Sequence, residues 1–99
     1  MRQPYHPNMD QLDLPVVLNA LADPVRIGIV KMLAEKKEAT CACCNTGMPK
    51  SAISHHFKVL RESGVIYVRV EGKQRFLSLR TEELNARFPQ LLDAVLKNI

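Results

Sequence analysis

No stretch of this chain approaches the roughly 20 consecutive apolar residues that a membrane-spanning helix requires, so it offers no candidate transmembrane segment. Residues 1–13 hold Pro4, Pro7 and two acids in place of an apolar leader, which points to a cytoplasmic protein. A disulfide framework is missing as well. The three cysteines, Cys41, Cys43 and Cys44, are an odd number crowded into four positions, a usage that suits thiols kept reduced. Internal repeats and low-complexity segments are absent. So are a Gly-rich phosphate loop and a paired-carboxylate motif. Ser51, Ser54 and the cysteines are the only nucleophiles near an imidazole, that of His55 or His56. Neighbours on one helix do not converge as nucleophile, base and orienting acid, so an enzyme is not expected.

What remains is a small basic domain. Ninety-nine residues suffice for one core and not for two, and 46% hydrophobic with 24% charged residues is ordinary globular composition. A domain of this size gains stability by sharing apolar surface in a dimer. Fourteen Lys and Arg against ten Asp and Glu leave a net charge of +4, which favours a polyanionic partner.

Residues 1–11 are polar and Pro-interrupted and are expected to form a flexible N-terminal arm; residues 12–99 form the domain. Leu14, Val17, Leu18 and Leu21 recur at helical steps after Asp13, a candidate cap, with Pro15 tolerated in the first turn. Asp23-Pro24 is a second start signal, for a helix with Val25, Ile29, Met32 and Leu33 inward and Arg26, Lys31, Glu35 and Lys36 toward water. Residues 39–47 are expected as a short helix or turn stopped by Gly47. Pro49 opens the next helix and Gly64 closes it. Two β-rich runs, 65–70 and 75–79, flank a Gly-bearing turn and predict a hairpin. Thr81 caps a further helix, which Pro89 breaks and restarts with Leu91, Leu92, Val95, Leu96 and Ile99. This order predicts a mainly α fold with a small β-hairpin, a winged helix-turn-helix.

On a helical wheel of residues 48–63, Ile53, Phe57 and Leu60 share one face, while Ser51, Ser54, His55 and Lys58 gather on the other with Glu62 trailing. Small hydroxyls and an imidazole near a helix start can reach base edges in a major groove without steric obstruction. A polar face alone also suits water. The hairpin adds weight to the first reading, because Arg69, Lys73 and Arg75 crowd it where phosphates or a minor groove would lie. His56 falls nearer the Ile53 and Phe57 face, so it reads as a half-buried, hydrogen-bonded histidine.

The segment PKSAISHHFKVLRESGVI closely resembles the helix-turn-helix signature of the ArsR/SmtB family of bacterial metal- and stress-responsive repressors. LNALADPVRIGIVKML resembles the family's preceding helix entry and VRVEGKQRFLSL its wing, so the likeness covers roughly residues 14–99. The resemblance implies a homodimer whose first and last helices pair between subunits, with Leu14, Val17, Leu18, Leu91, Leu92, Val95 and Leu96 as candidate interface residues. It also implies two recognition helices in successive major grooves of a palindromic double-stranded operator. The family's contact positions fall on Ser51, Ser54 and His55, with Lys50, Lys58, Arg69, Lys73 and Arg75 as further DNA-binding residues. A winged-helix protein-interaction module that reads no DNA is the alternative.

The family's zinc-type site on the C-terminal helix cannot form here, because residues 81–99 contain no His and no Cys. Cys41-Ala42-Cys43 matches the spacing of its Cys-x-Cys site for arsenic, antimony or soft metals, and Cys44 adds a third thiol. Three thiolates suit a thiophilic metal or As(III), or zinc with an outside fourth ligand. Neighbouring thiols can equally be a redox sensor, or simply small buried hydrophobes with no cofactor at all.

Overall fold

In the computed structural model, which describes residues 4–40 and 47–99, helix starts follow the local chemistry of Asp and Pro. Helix α1 spans Leu14–Leu21 with Pro15 in its first turn; Asp13 stands at the N-cap, but its side chain makes no capping bond. Helix α2 spans Pro24–Lys36, and there the Asp23 carboxylate accepts the N–H groups of Val25 (2.8 Å) and Arg26 (3.2 Å). Lys37, at φ 67°, ends α2 and redirects the chain.

Residues 38–40, partly expected as helix or turn, are instead strand β1 (Glu38–Thr40). Only Ala39 of the three is buried, opposite Leu77 of the hairpin, so the pairing depends on a distant strand rather than on a local signal. The rest of that expected helix or turn, together with Cys41, Cys43 and Cys44, lies outside the described residues.

Helix α3 spans Lys50–Ser63. Gly64 closes it at φ 91°, while the N–H of Val65 reaches back to the Leu60 carbonyl at 3.0 Å. Strands β2 (Ile66–Glu71) and β3 (Gln74–Leu79) follow, with Glu71 opposite Gln74, so only Gly72 and Lys73 form the loop. The positive φ of Gly72, 58°, is what a II′ hairpin requires at its first loop residue. The three strands form an antiparallel sheet in the order β1-β3-β2, leaving β2 at an edge. Helix α4 spans Thr81–Arg87 and α5 Leu91–Lys97, separated at Pro89. Thr81 is the first residue of α4 rather than its cap; Arg80 holds that place.

The core gathers Val17 and Ala20, Ile29, Val30 and Leu33, Phe57 and Leu60, and the inward sheet residues Ile66, Val68 and Leu77. Two of the candidate dimer residues belong to it. Val17 is fully buried and Leu92 nearly so, which withdraws both from any partner. Leu14 and Leu18, with Val16 beside them, stay exposed on α1, whereas Leu91, Val95 and Leu96 are partly covered against the core.

Residues 4–11, expected as a flexible arm, lie docked on the domain. The Arg61 guanidinium donates to the Tyr5 carbonyl (2.6 Å), Arg80 to that of Pro7 (2.8 Å), and Pro7 is buried. Asn8 and Gln11 exchange capping bonds around the short 3-10 turn Met9–Gln11. The contacts are side chains gripping backbone carbonyls, which leave no hydrophobic period to read. Arg80 is itself buried and completed by Glu83 (2.7 Å) and the face of the Tyr67 ring (4.6 Å).

Candidate nucleic-acid interface

Helix α3 turns its two sides to different media. Phe57, Leu60 and Ser63 are buried, Ile53 packs partly against the core, and Lys50, Ser51, Ser54, His55 and Lys58 are exposed. The residues selected for a groove thus form one uninterrupted outer face near the helix start. Pro49 at the N-cap supplies no side-chain bond, so the first N–H groups of α3 keep their partial positive charge.

His56 lies on the boundary between these sides, with 13% of its side chain exposed. Its Nδ1 is 3.2 Å from Nη1 of Arg26 and 4.0 Å from Asp23 Oδ1. Arg26, expected toward water, is partly buried and also donates to the carbonyls of Ala20 (2.6 Å) and Asn19 (3.3 Å). Burial pushes the Asp23 carboxyl upward, but the N–H groups of Arg26 and Val25 and the nearby charge of Arg26 outweigh it and hold the group below its ordinary value.

The wing divides its basic residues between two faces. The register sets Arg69 opposite Phe76 and Arg75 opposite Val70, so the two arginines point to opposite sides of the sheet. Arg69 lies over the Phe76 ring (4.6 Å) and pairs with Glu71 (2.7 Å) and Glu38 (3.2 Å). Among the described residues, two carboxylates thus already balance the charge of Arg69, unlike those of Lys73 and Arg75. Lys73 in the loop and Arg75 beside it are exposed. Of these two partners, Glu71 is legible in the sequence, two residues away on the same face of the strand, whereas Glu38 is placed only by β1.

The family match takes in α2 and α3 and ends early in β2. The family model described as bacterial regulatory protein, arsR family, matches residues 23–68. The uncharacterized HTH-type transcriptional regulator YceK of Bacillus subtilis (strain 168) is 31% identical over 84 residues, 80% of this chain and 82% of its own. This chain belongs to the ArsR family of bacterial regulators. The arsenical resistance operon repressor of Escherichia coli (strain K12) is 42% identical to this ArsR-family chain over 65 residues, 61% of this chain and 54% of that one. The transcriptional repressor BigR from Xylella fastidiosa matches its fold with a TM-score of 0.67 and 28% identity, covering 87% of this chain and 85% of that one. The family is one of DNA-binding transcriptional regulators and not of enzymes, and the fold is the winged helix expected. Among the described residues, no helix is long and apolar enough to cross a membrane.

Proposed function

We propose that this ArsR-family regulator is a homodimeric repressor that reads a palindromic operator through α3. Ser51, Ser54 and His55 meet base edges in the major groove, while Lys50, Lys58, Lys73 and Arg75 meet phosphates. The observation that carries the reading is the continuous exposed face of Ser51, Ser54 and His55, backed by Phe57 and Leu60 in the core and joined through Gly64 to the wing. Bases are specified by side chains on that face and position is held by the surrounding cations. The test is a salt-dependent shift of the duplex carrying the promoter of its own gene. A Ser54→Ala/His55→Ala double variant is expected to lose the preference for that duplex; an unchanged preference removes the base-reading role.

A dimer is supported by Leu14, Val16 and Leu18, large apolar side chains that α1 leaves to solvent, and by the partly covered Leu91, Val95 and Leu96 of the last helix. Release from DNA is assigned to Cys41, Cys43 and Cys44, through a thiophilic metal, As(III) or a thiol redox change. Their softness as ligands supports this, as does the similarity to a repressor named for arsenical resistance. Operator binding measured reduced, oxidised, and with As(III), Zn or Cd decides it: equal affinity in all five conditions removes the cysteines from the mechanism.

A further inference from the structure

Helix α3 is anchored unevenly. Its buried residues, Phe57, Leu60 and Ser63, all belong to its second half. The first half carries Ser51, Ser54 and His55, and among the described residues Ala52, Ile53 and His56 are its only partly covered side chains up to that point. Base readout demands placement to a fraction of an ångström, so something must hold this half in its rotation about the helix axis.

The Arg26 fork meets that need. Its Nε and Nη2 donate to the Ala20 and Asn19 carbonyls at the end of α1, and the Asn19 carbonyl also accepts the N–H of Ala22. Its Nη1 is directed at His56 Nδ1, 3.2 Å away. Guanidinium has donors and no acceptor, so a hydrogen bond between the two requires Nδ1 as the acceptor. Asp23 adds a carboxylate 4.0 Å from the same Nδ1 while it caps α2. One planar group therefore ties the end of α1 and the start of α2 to the middle of α3, one residue from His55.

We propose that Arg26 and His56 are positioning residues for the operator-reading half of α3: they touch no base and act by fixing the helix that does. This rests on the reading of α3 given under Proposed function. It requires an acceptor at the Nδ1 position and a forked donor opposite it. Asparagine at 56 retains such an acceptor, whereas leucine does not. Lysine at 26 keeps the charge but cannot reach three acceptors in different directions.

The experiment titrates the intact chain with the promoter duplex of its own gene and with a scrambled duplex of equal length. The variants are His56→Leu, His56→Asn, Arg26→Lys and Ser54→Ala/His55→Ala, with thermal unfolding recorded for each. Losing a charge-assisted hydrogen bond predicts about a tenfold weaker promoter affinity for His56→Leu and Arg26→Lys. Scrambled-duplex affinity stays within about twofold, since phosphate contacts remain. His56→Asn recovers most of the loss, which a purely structural role for the ring would not produce. Promoter affinity at the wild-type level in His56→Leu, or no recovery in His56→Asn, overturns the proposal. If His56→Leu does not fold, Arg26→Lys carries the same decision. A wild type without promoter preference, or an unaffected Ser54→Ala/His55→Ala variant, overturns the reading of α3 and this inference with it. Normal behaviour of those two with unaffected His56→Leu and Arg26→Lys overturns the inference alone.

Discussion

The imidazole of His6 accepts the backbone N–H of Val68 at 2.9 Å, so a residue near the chain start occupies an outward donor of the edge strand β2. Tyr67 meets the same ring edge-on at 5.3 Å. An open sheet edge invites pairing with other chains, and residues 4–11 close part of this one.

Stability is expected to depend on the His6 proton. Burial first, then the charges of Arg61 and Arg80, lower its pKa, against a smaller opposing bond to the Pro4 carbonyl. The folded state therefore binds fewer protons than the unfolded one just below the unfolded histidine value of about 6.5. The contribution is complete above that value and declines as pH falls through it toward the folded pKa. Denaturant unfolding of His6→Ala should show a loss on the order of 1 kcal/mol at neutral pH. It should also show a smaller fall between neutral and mildly acidic pH than the wild type does.

Gly64 is expected to tolerate no side chain. Its φ is 91°, and a Cβ built there overlaps the Leu12 side chain, with Pro7 also close. Gly64→Ala should cost about 2 kcal/mol or more in chemical unfolding, from the left-handed backbone and the displaced Leu12 together.

The wing cations should separate by their partners. Lys73→Ala or Arg75→Ala should weaken promoter and scrambled duplexes alike and reduce the salt slope by about 1. Arg69→Ala should change that slope far less, because Glu71 and Glu38 already balance the charge. Binding isotherms across a salt series measure all three.

Substitutions on α1 should divide in the same manner. Leu18→Glu, on the exposed side, is expected to weaken the proposed self-association in sedimentation while leaving the subunit folded. Val17→Ala creates a cavity in the core and should cost roughly 2 kcal/mol in unfolding without a comparable change in association.

Much of this architecture could be read along the chain because its signals are local. Asp23-Pro24, Gly64 and the Gly72 turn each act within a few residues, and the 3.6-residue period separated Phe57 and Leu60 from Ser54 and His55. What escaped depends on distance. Strand β1 exists because β3 offers an edge to Ala39. The docking of Tyr5, His6 and Pro7 comes from Arg61, Arg80 and Val68, more than fifty positions away. Val17 satisfies a helical period whether it faces its own core or a partner, and only the folded subunit decides which. Arg26 looked solvent-facing by period, yet its length carries the guanidinium back to α1 and His56.

Base reading is the role proposed for the exposed face of α3. Its most direct measurement is the ratio of affinities for the promoter duplex and a scrambled duplex, in the wild type and in Ser54→Ala/His55→Ala, at one fixed salt concentration. A clear promoter preference is expected in the wild type, collapsing toward unity in the variant with scrambled-duplex affinity nearly unchanged. A variant that keeps the full preference would contradict that role.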